Sequence, residues 1–144
     1  MPYDIGTISS ANNDAHKQFI SKIKDLATGN GWSVERYIDD QSEDELILKG
    51  EGLTGLEEIY VGFKTYQSTG GDIYNLVCGV FTGYVAGVEF EAQPNAQLTT
   101  IFCHNTTLLY VITLNAQKIC GWVRVGANTY SHFYVGKYLP YARP

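Results

Sequence analysis

Apolar side chains recur at helical spacing in one stretch of the chain, residues 12–28. Residues three and four positions apart share one face of a helix, and polar residues fill the other positions here. Asn12, Asn13 and Asp14 offer capping oxygens at the start, and Gly29-Asn30-Gly31 is a typical stop signal. We therefore predict an amphipathic helix over about residues 12–28, which packs on a sheet through Ala15, Phe19, Ile20, Ile23, Leu26 and Ala27.

From residue 32 to residue 139 the pattern changes to short β-rich runs separated by turn residues. The last three runs, joined by turns at 115–117 and 126–129, predict a three-stranded meander, whereas residues 91–97, with Pro94, are predicted as a loop. One helix among many strands indicates an α+β fold, with the helix on an antiparallel, meander-rich sheet or curled sandwich. We predict a single domain over residues 1–144 with a short tail at 139–144, and strands at 32–38, 46–49, 59–66, 73–84, 108–114, 118–125 and 130–139.

Composition narrows the class of protein. The chain has 144 residues, and 44% of them are apolar, which is enough for a hydrophobic core without metals or disulfides. No apolar run approaches the length of a membrane-spanning helix, and the first residues lack the basic and apolar segments of a signal peptide. The net charge of −5 disfavours a free-standing nucleic-acid-binding protein. We expect neither a membrane nor a nucleic acid as partner.

Charge is distributed unevenly along the chain. Residues 1–91 contain all 15 acidic residues and six of the ten basic ones, a net charge of −9, whereas residues 92–144 contain four basic residues and no acid. The two halves can neutralise each other inside one fold, or they can form oppositely charged sides that stack on copies or partners. The sequence leaves both arrangements open.

Candidates for catalysis or metal binding are few. Cys103 and His104 would point to opposite faces of a strand, so they are not expected to pair as nucleophile and base. No Cys or His pair has the spacing of a zinc site, and the acidic run 39–45 is typical of a solvated hairpin tip rather than a calcium loop. We expect Cys78, Cys103 and Cys120 to be reduced and mostly buried in strands, with an intersubunit disulfide as the alternative. No catalytic residue, metal, cofactor or small-molecule substrate is predicted.

Tyrosine is unusually frequent, with 11 residues. In the last predicted strand tyrosines and a histidine alternate onto one face, and the opposite face is also largely apolar, which suggests a strand covered on both sides. Such tyrosines can form the rim of the protein's own core, or they can contact a protein or a sugar. The interface candidates of this strand and the tail are Tyr130, His132, Tyr134, Lys137, Tyr138, Tyr141 and Arg143.

Short segments in order along nearly the whole chain form a recognisable pattern. They are Tyr3-Asp4-Ile5-Gly6-Thr7, Gly31-Trp32, residues 45–53, residues 57–62, Gly83-Tyr84, Phe90-Glu91-Ala92-Gln93-Pro94, Asn115-Ala116, Gly136, and Leu139-Pro140-Tyr141-Ala142-Arg143-Pro144. Together with the amphipathic helix, these segments resemble a family of tailed-bacteriophage virion structural proteins found among tail and baseplate components.

The resemblance implies a non-enzymatic structural subunit of a virion, assembled in the host cytoplasm and without a cofactor. It implies contacts with other virion proteins and with copies of itself, and the family has no catalytic residues to transfer. From the residues themselves we expect assembly through segment 108–139 and the tail 139–144. The tyrosine-rich strand face keeps a second hypothesis open, a carbohydrate- or ligand-binding module.

Overall fold

The computed structural model describes residues 1–39 and 42–137. Within these ranges the chain forms one α-helix and nine β-strands, and the strands make two antiparallel sheets, so the predicted α+β class is confirmed. The elements are β1 (Tyr3–Ser9), α1 (Ala15–Thr28), β2 (Ser33–Asp39), β3 (Asp44–Gly50), β4 (Ile59–Ser68), β5 (Ile73–Phe81), β6 (Gln97–Phe102), β7 (Thr107–Leu114), β8 (Lys118–Val125) and β9 (Thr129–Gly136). No helix in the described ranges is long and apolar enough to cross a membrane.

The two sheets follow the order of the chain, with one exception. The first sheet has the strand order β1-β7-β8-β9, and the second sheet has the order β2-β3-β4-β5-β6. The predicted meander is formed by β7, β8 and β9, and β1 pairs with β7 at its edge, with Tyr3 opposite Thr113. The N-terminal strand therefore belongs to the sheet that the C-terminal part of the chain builds.

The core lies between the inner faces of the two sheets, with α1 packed into it. The Phe19 ring of α1 lies 5.5 Å from the Tyr110 ring of β7, and Phe133 of β9 meets both Phe19 and Phe63 of β4 edge to face. The helix buries the predicted stripe except for half-buried Leu26, and it also buries His16. One apolar face of each sheet and one face of the helix thus share a single hydrophobic cluster.

The helix begins at Ala15 rather than at residue 12. Asn13 has a φ of 59°, outside the helical region, so the chain before Asp14 cannot continue the helix. The Asp14 carboxylate accepts hydrogen bonds from the Ser10 hydroxyl and the Gln18 amide instead of capping the backbone. The backbone N–H of Ala15 donates to the carbonyl of Asn105 at 2.9 Å, so a neighbouring loop supplies the acceptor.

Several predicted strand bounds are wrong. β1 and β6 are absent from the sequence-based prediction, and β6 begins where the predicted loop 91–97 ends. β5 stops at Phe81 and β9 stops at Gly136. The predicted strands 73–84 and 130–139 are longer, because aromatic or aliphatic side chains continue in the sequence beyond these ends. Gly136 has a φ of 150°, a conformation that a residue with a side chain rarely adopts. The predicted tail 139–144 lies outside the described residues.

The acidic run 39–45 spans the end of β2 and the start of β3. Its predicted character as a solvated tip is wrong for Asp44, which is buried and whose backbone N–H donates to the Thr65 hydroxyl at 2.8 Å. Glu45 forms an ion pair with Arg36 at 3.3 Å, so it also faces protein rather than solvent. Residues 40 and 41 lie outside the described residues.

The connection from β5 to β6 folds over the outer face of the second sheet, and we refer to residues 82–96 as the cover loop. Its Phe90 is fully buried and packs edge to face on Phe81, with ring centroids 5.4 Å apart. The Gln93 side chain holds the loop by accepting from the Val85 N–H and donating to the carbonyls of Val85 and Val88. The cover loop gives the second sheet a small apolar cluster on its outer side.

Candidate interaction surface

The outer face of the first sheet, on the side away from α1, carries aromatic and aliphatic side chains. Residues opposite one another on paired strands point to the same side, so the register places twelve side chains in three rows of four. We call this surface the aromatic face. Its rows are Tyr3, Thr113, Cys120 and Tyr134; Ile5, Val111, Trp122 and His132; and Thr7, Leu109, Arg124 and Tyr130.

Three of the predicted interface residues lie on the aromatic face. Tyr130 is 57% exposed and Tyr134 is 37% exposed, and His132 between them is also exposed. The expectation that the last strand is covered on both sides is therefore wrong for the chain by itself. Phe133 and Val135 face the core, while the tyrosine side of β9 is open in the described structure.

The aromatic side chains of β8 and β9 hold one another in place. The rings of Trp122 and Tyr130 lie 5.6 Å apart in an edge-to-face arrangement. The Lys118 ammonium lies 5.7 Å from the centre of the Tyr134 ring, and the Tyr134 hydroxyl donates to the carbonyl of Lys137 at 2.9 Å. These contacts limit side-chain motion on the face before any partner binds, which lowers the entropy cost of association.

β1 extends the face by two large apolar side chains. Tyr3 is 66% exposed and Ile5 is 60% exposed. On the inner side of this strand Gly6 leaves space for the Tyr110 ring, since a Cβ at Gly6 would lie only 3.0 Å from the Tyr110 hydroxyl oxygen. The Tyr110 hydroxyl donates to Asp4 at 3.0 Å, and burial, reinforced by this carboxylate, raises the pKa of Tyr110 to about 12. This side chain therefore fixes β1 to β7 and the exposed residues with it.

Part of the charge asymmetry is neutralised inside the fold. Lys137, directly after β9, forms an ion pair with Glu57 in the turn between β3 and β4. The Gln117 amide donates to the same carboxylate at 3.3 Å. Lys137, one of the interface candidates, is thus engaged within the chain. Tyr138, Tyr141 and Arg143 lie outside the described residues.

The aromatic face carries part of the positive charge of residues 92–144. None of its twelve residues is acidic, and it includes Arg124 and His132. Lys118 lies beside it, with its ammonium over Tyr134. The face is therefore apolar and weakly basic, and it suits a partner surface that is apolar and acidic.

The cysteines and His104, which were considered for catalysis or metal binding, do not form a common site among the described residues. Cys103 and His104 lie in the loop after β6, so the expectation that both residues lie on a strand is wrong. Burial raises the pKa of the Cys103 thiol to about 12, and burial with the nearby Cys103 raises the pKa of Cys78, so both stay protonated and poorly nucleophilic. Cys120 is half-buried on the aromatic face, 3.2 Å from the Thr113 hydroxyl, and all three cysteines are free. Across residues 1–39 and 42–137 no group of three or more His, Cys, Asp or Glu side chains could hold a metal ion.

The sequence-based list of interface residues omitted Trp122, Tyr3 and Ile5. A signal for Trp122 was available, because a three-residue turn at 126–128 sets the register that places Trp122 opposite His132. Tyr3 and Ile5 had no such signal, since their membership depends on the pairing of β1 with β7 across more than a hundred residues.

No protein-family model matches this chain, and no curated protein gives a significant match to it.

Proposed function

We propose that this chain is a non-enzymatic structural subunit of a bacteriophage virion, in the tail or baseplate. It binds neighbouring subunits, which are other virion proteins and copies of itself, through the aromatic face. Segments in sequence order along the chain resemble those of virion structural proteins, and this resemblance supports the assignment to a virion and to its tail or baseplate. The observation that supports the mode of action is the exposure of Tyr3, Ile5 and Tyr130 on one acid-free sheet face.

Exposed apolar side chains are common one by one, but a contiguous patch is typical of a surface that another molecule covers. Tyrosine and tryptophan add large contact areas with few rotatable bonds, and they dominate the free energy of many protein interfaces. Trp122, Tyr130 and Tyr134 are adjacent on β8 and β9, so one partner surface can cover all three. We expect the loss of a central aromatic side chain to weaken association by about 2 kcal/mol or more.

The alternative, a carbohydrate-binding module, requires aromatic rings that present their faces to a sugar. Trp122 and Tyr130 instead turn toward each other edge to face, and the Lys118 ammonium lies over the Tyr134 ring. These arrangements reduce the ring area that is free for stacking. We therefore favour a protein partner, and strong binding of a glycan array by the isolated monomer would contradict that choice.

The test of the mode of action replaces exposed apolar residues without disturbing the core. The double variant Ile5→Ser, Tyr130→Ser is expressed from the phage genome that encodes the chain, and purified particles are analysed by mass spectrometry. We expect the wild-type chain in the tail fraction at a stoichiometric level, and at least a tenfold lower level of the double variant.

Leu56→Ser is the matched control, because Leu56 is 87% exposed, lies in the turn between β3 and β4, and is not part of the aromatic face. Both variants are first compared with wild type by circular dichroism and urea unfolding. Absence of the wild-type chain from purified particles contradicts the virion role. Equal incorporation of both variants contradicts the role of the aromatic face.

A further inference from the structure

A cleft opens at one end of the aromatic face, where β7 begins and β8 ends. It has a volume of about 320 Å³ and is lined by side chains of Thr7, Thr107 and Arg124, together with His104 from the loop before β7. Leu108, Leu109 and Gly126 complete its walls, and no acidic residue lines it. The cleft thus combines hydrogen-bond donors with apolar walls, as small ligand sites do.

Arg124 is the charged group of this cleft. Its Nε atom is buried and has no hydrogen-bond partner among the described residues, and no described acidic residue forms an ion pair with it. Its neighbours across the strands are Leu109 and Tyr130, which offer the guanidinium no charge. Buried donors are normally paired, and Arg124 lines the cleft, so its guanidinium is suited to an acceptor that enters the cleft from outside the chain.

His104 adds a second hydrogen-bond donor to the cleft, and its hydrogen bonds show which ring nitrogen carries the proton. Its Nδ1 atom lies 3.1 Å from the backbone N–H nitrogen of Thr106 and 3.4 Å from that of Thr107, and both N–H groups donate to it. A ring nitrogen that accepts hydrogen bonds carries no proton, so in the neutral ring the proton is on Nε2. The hydrogen-bond network therefore assigns Nε2 as a donor.

We propose that the cleft is a carboxylate-binding site, which takes the side chain of an aspartate or glutamate from a neighbouring subunit. A guanidinium matches the planar carboxylate with two parallel hydrogen bonds, and the His104 imidazole and the threonine hydroxyls offer further donors. All 15 acidic residues of the chain fall in residues 1–91, so another copy carries many suitable carboxylates. That the carboxylate comes from a subunit rests on the proposed function, whereas carboxylate binding itself does not.

The first experiment uses acetate as the probe and the full chain labelled with nitrogen-15. Sodium acetate replaces sodium chloride at constant ionic strength while the nuclear magnetic resonance signals of the Arg124 Nε–H and of the His104 ring are followed. We expect saturable shifts with acetate, and binding at least tenfold weaker in Arg124→Gln. Lys118→Gln removes a positive charge from the opposite end of the same strand, and we expect its acetate affinity to stay within twofold of wild type.

Shifts that do not saturate, or equal affinity in Arg124→Gln and wild type, overturn the carboxylate site. An equal response to sodium sulfate shows that any oxyanion binds, which overturns the selectivity for a planar carboxylate.

The second experiment measures the incorporation of Arg124→Gln into particles, where we expect at least a tenfold loss. Acetate binding with normal incorporation overturns the subunit carboxylate as occupant. The Ile5→Ser, Tyr130→Ser variant tests the aromatic face by incorporation, whereas acetate binding by Arg124→Gln tests the cleft without particles, so the failure of one proposal is distinguishable from that of the other.

Discussion

Both sheets carry large apolar side chains on their outer faces, yet within residues 1–39 and 42–137 the chain covers those of only one sheet. On the second sheet the cover loop places Phe90 against Phe81 and Ile47 and buries all three. On the first sheet Tyr3 and Tyr130 stay more than half exposed. The large apolar side chains of the two faces therefore differ in accessibility.

The difference follows from the lengths of the connections. The cover loop gives the second sheet 15 residues between β5 and β6, whereas β7, β8 and β9 are joined by turns of three residues each. A three-residue turn closes a hairpin but cannot reach back over the sheet. Whether an apolar face is completed by its own chain or left for another molecule is thus decided by loops rather than by strands.

The largest expected effect is on the covered face. Phe90→Ala removes a fully buried ring from the cover loop, and we expect the free energy of unfolding to fall by about 3 kcal/mol or more. Tyr130→Ala on the aromatic face is the comparison, with an expected loss below about 1 kcal/mol because the side chain is mostly exposed. Urea unfolding of both variants measures the difference, and equal losses would show that the two faces do not differ as described.

Gly62→Ala tests the packing beneath the cover loop. A Cβ at Gly62 would lie 2.6 Å from the Phe81 ring and 2.7 Å from the Phe90 ring, so these rings must move. We expect a loss of about 1–3 kcal/mol in urea unfolding. Gly70→Ala is the control, because nothing lies within 4 Å of its added Cβ, and a similar loss there would contradict the steric explanation.

His16 gives the stability a dependence on pH that involves the second sheet. Burial lowers the pKa of His16 below the ordinary value of 6.5, although the hydrogen bond with Gln67 opposes the shift. Because the unfolded chain binds the proton more readily, this contribution is complete above pH 6.5 and is lost as the pH falls toward the lower folded value.

We expect the urea midpoint of wild type to decrease between pH 7 and pH 5 more steeply than that of His16→Asn. Parallel curves for the two proteins would exclude His16 as the source of the pH dependence.

The smallest effect is expected for the charges that hold the cover loop. Lys64 lies 2.7 Å from Glu91 of the loop and 3.3 Å from Glu43, and Glu91 is half exposed. Both carboxylates reach solvent, which weakens their pairing with the largely buried Lys64, so we expect Lys64→Met to cost less than about 1 kcal/mol in urea unfolding. A loss as large as that of Phe90→Ala would show that charge, rather than packing, holds the loop.

The sequence predicted the elements that have strong local signals. The apolar stripe of α1 repeats at helical spacing because one side of the helix meets the core, and β-rich runs joined by short turns predicted the three strands of the meander. β1 escaped prediction because its inward positions include Asp4 and Gly6, whose space the Tyr110 ring fills. β6 escaped because only Ile101 of this edge strand is buried.

The aromatic face was predictable only along β9. Alternation grouped Tyr130, His132 and Tyr134, but it could not show that this side of the strand is open. Accessibility depends on whether a loop covers the face, and no described loop does; the role of Arg124 depends on its Nε atom, which has no partner among residues 1–39 and 42–137. Both are properties of the assembled sheet rather than of any single segment.

The pairing of β1 with β7 has a consequence for how the protein folds. Tyr3 pairs with Thr113, so β1 leaves the ribosome more than a hundred residues before the strand with which it pairs. Contacts between residues so distant in sequence slow folding, because the entropy cost of closing a long loop comes before the stabilising contacts form. During synthesis β1 is therefore an unpaired strand with exposed Tyr3 and Ile5. Its pairing with β7 completes the aromatic face, so that surface becomes whole only after this long-range contact has formed.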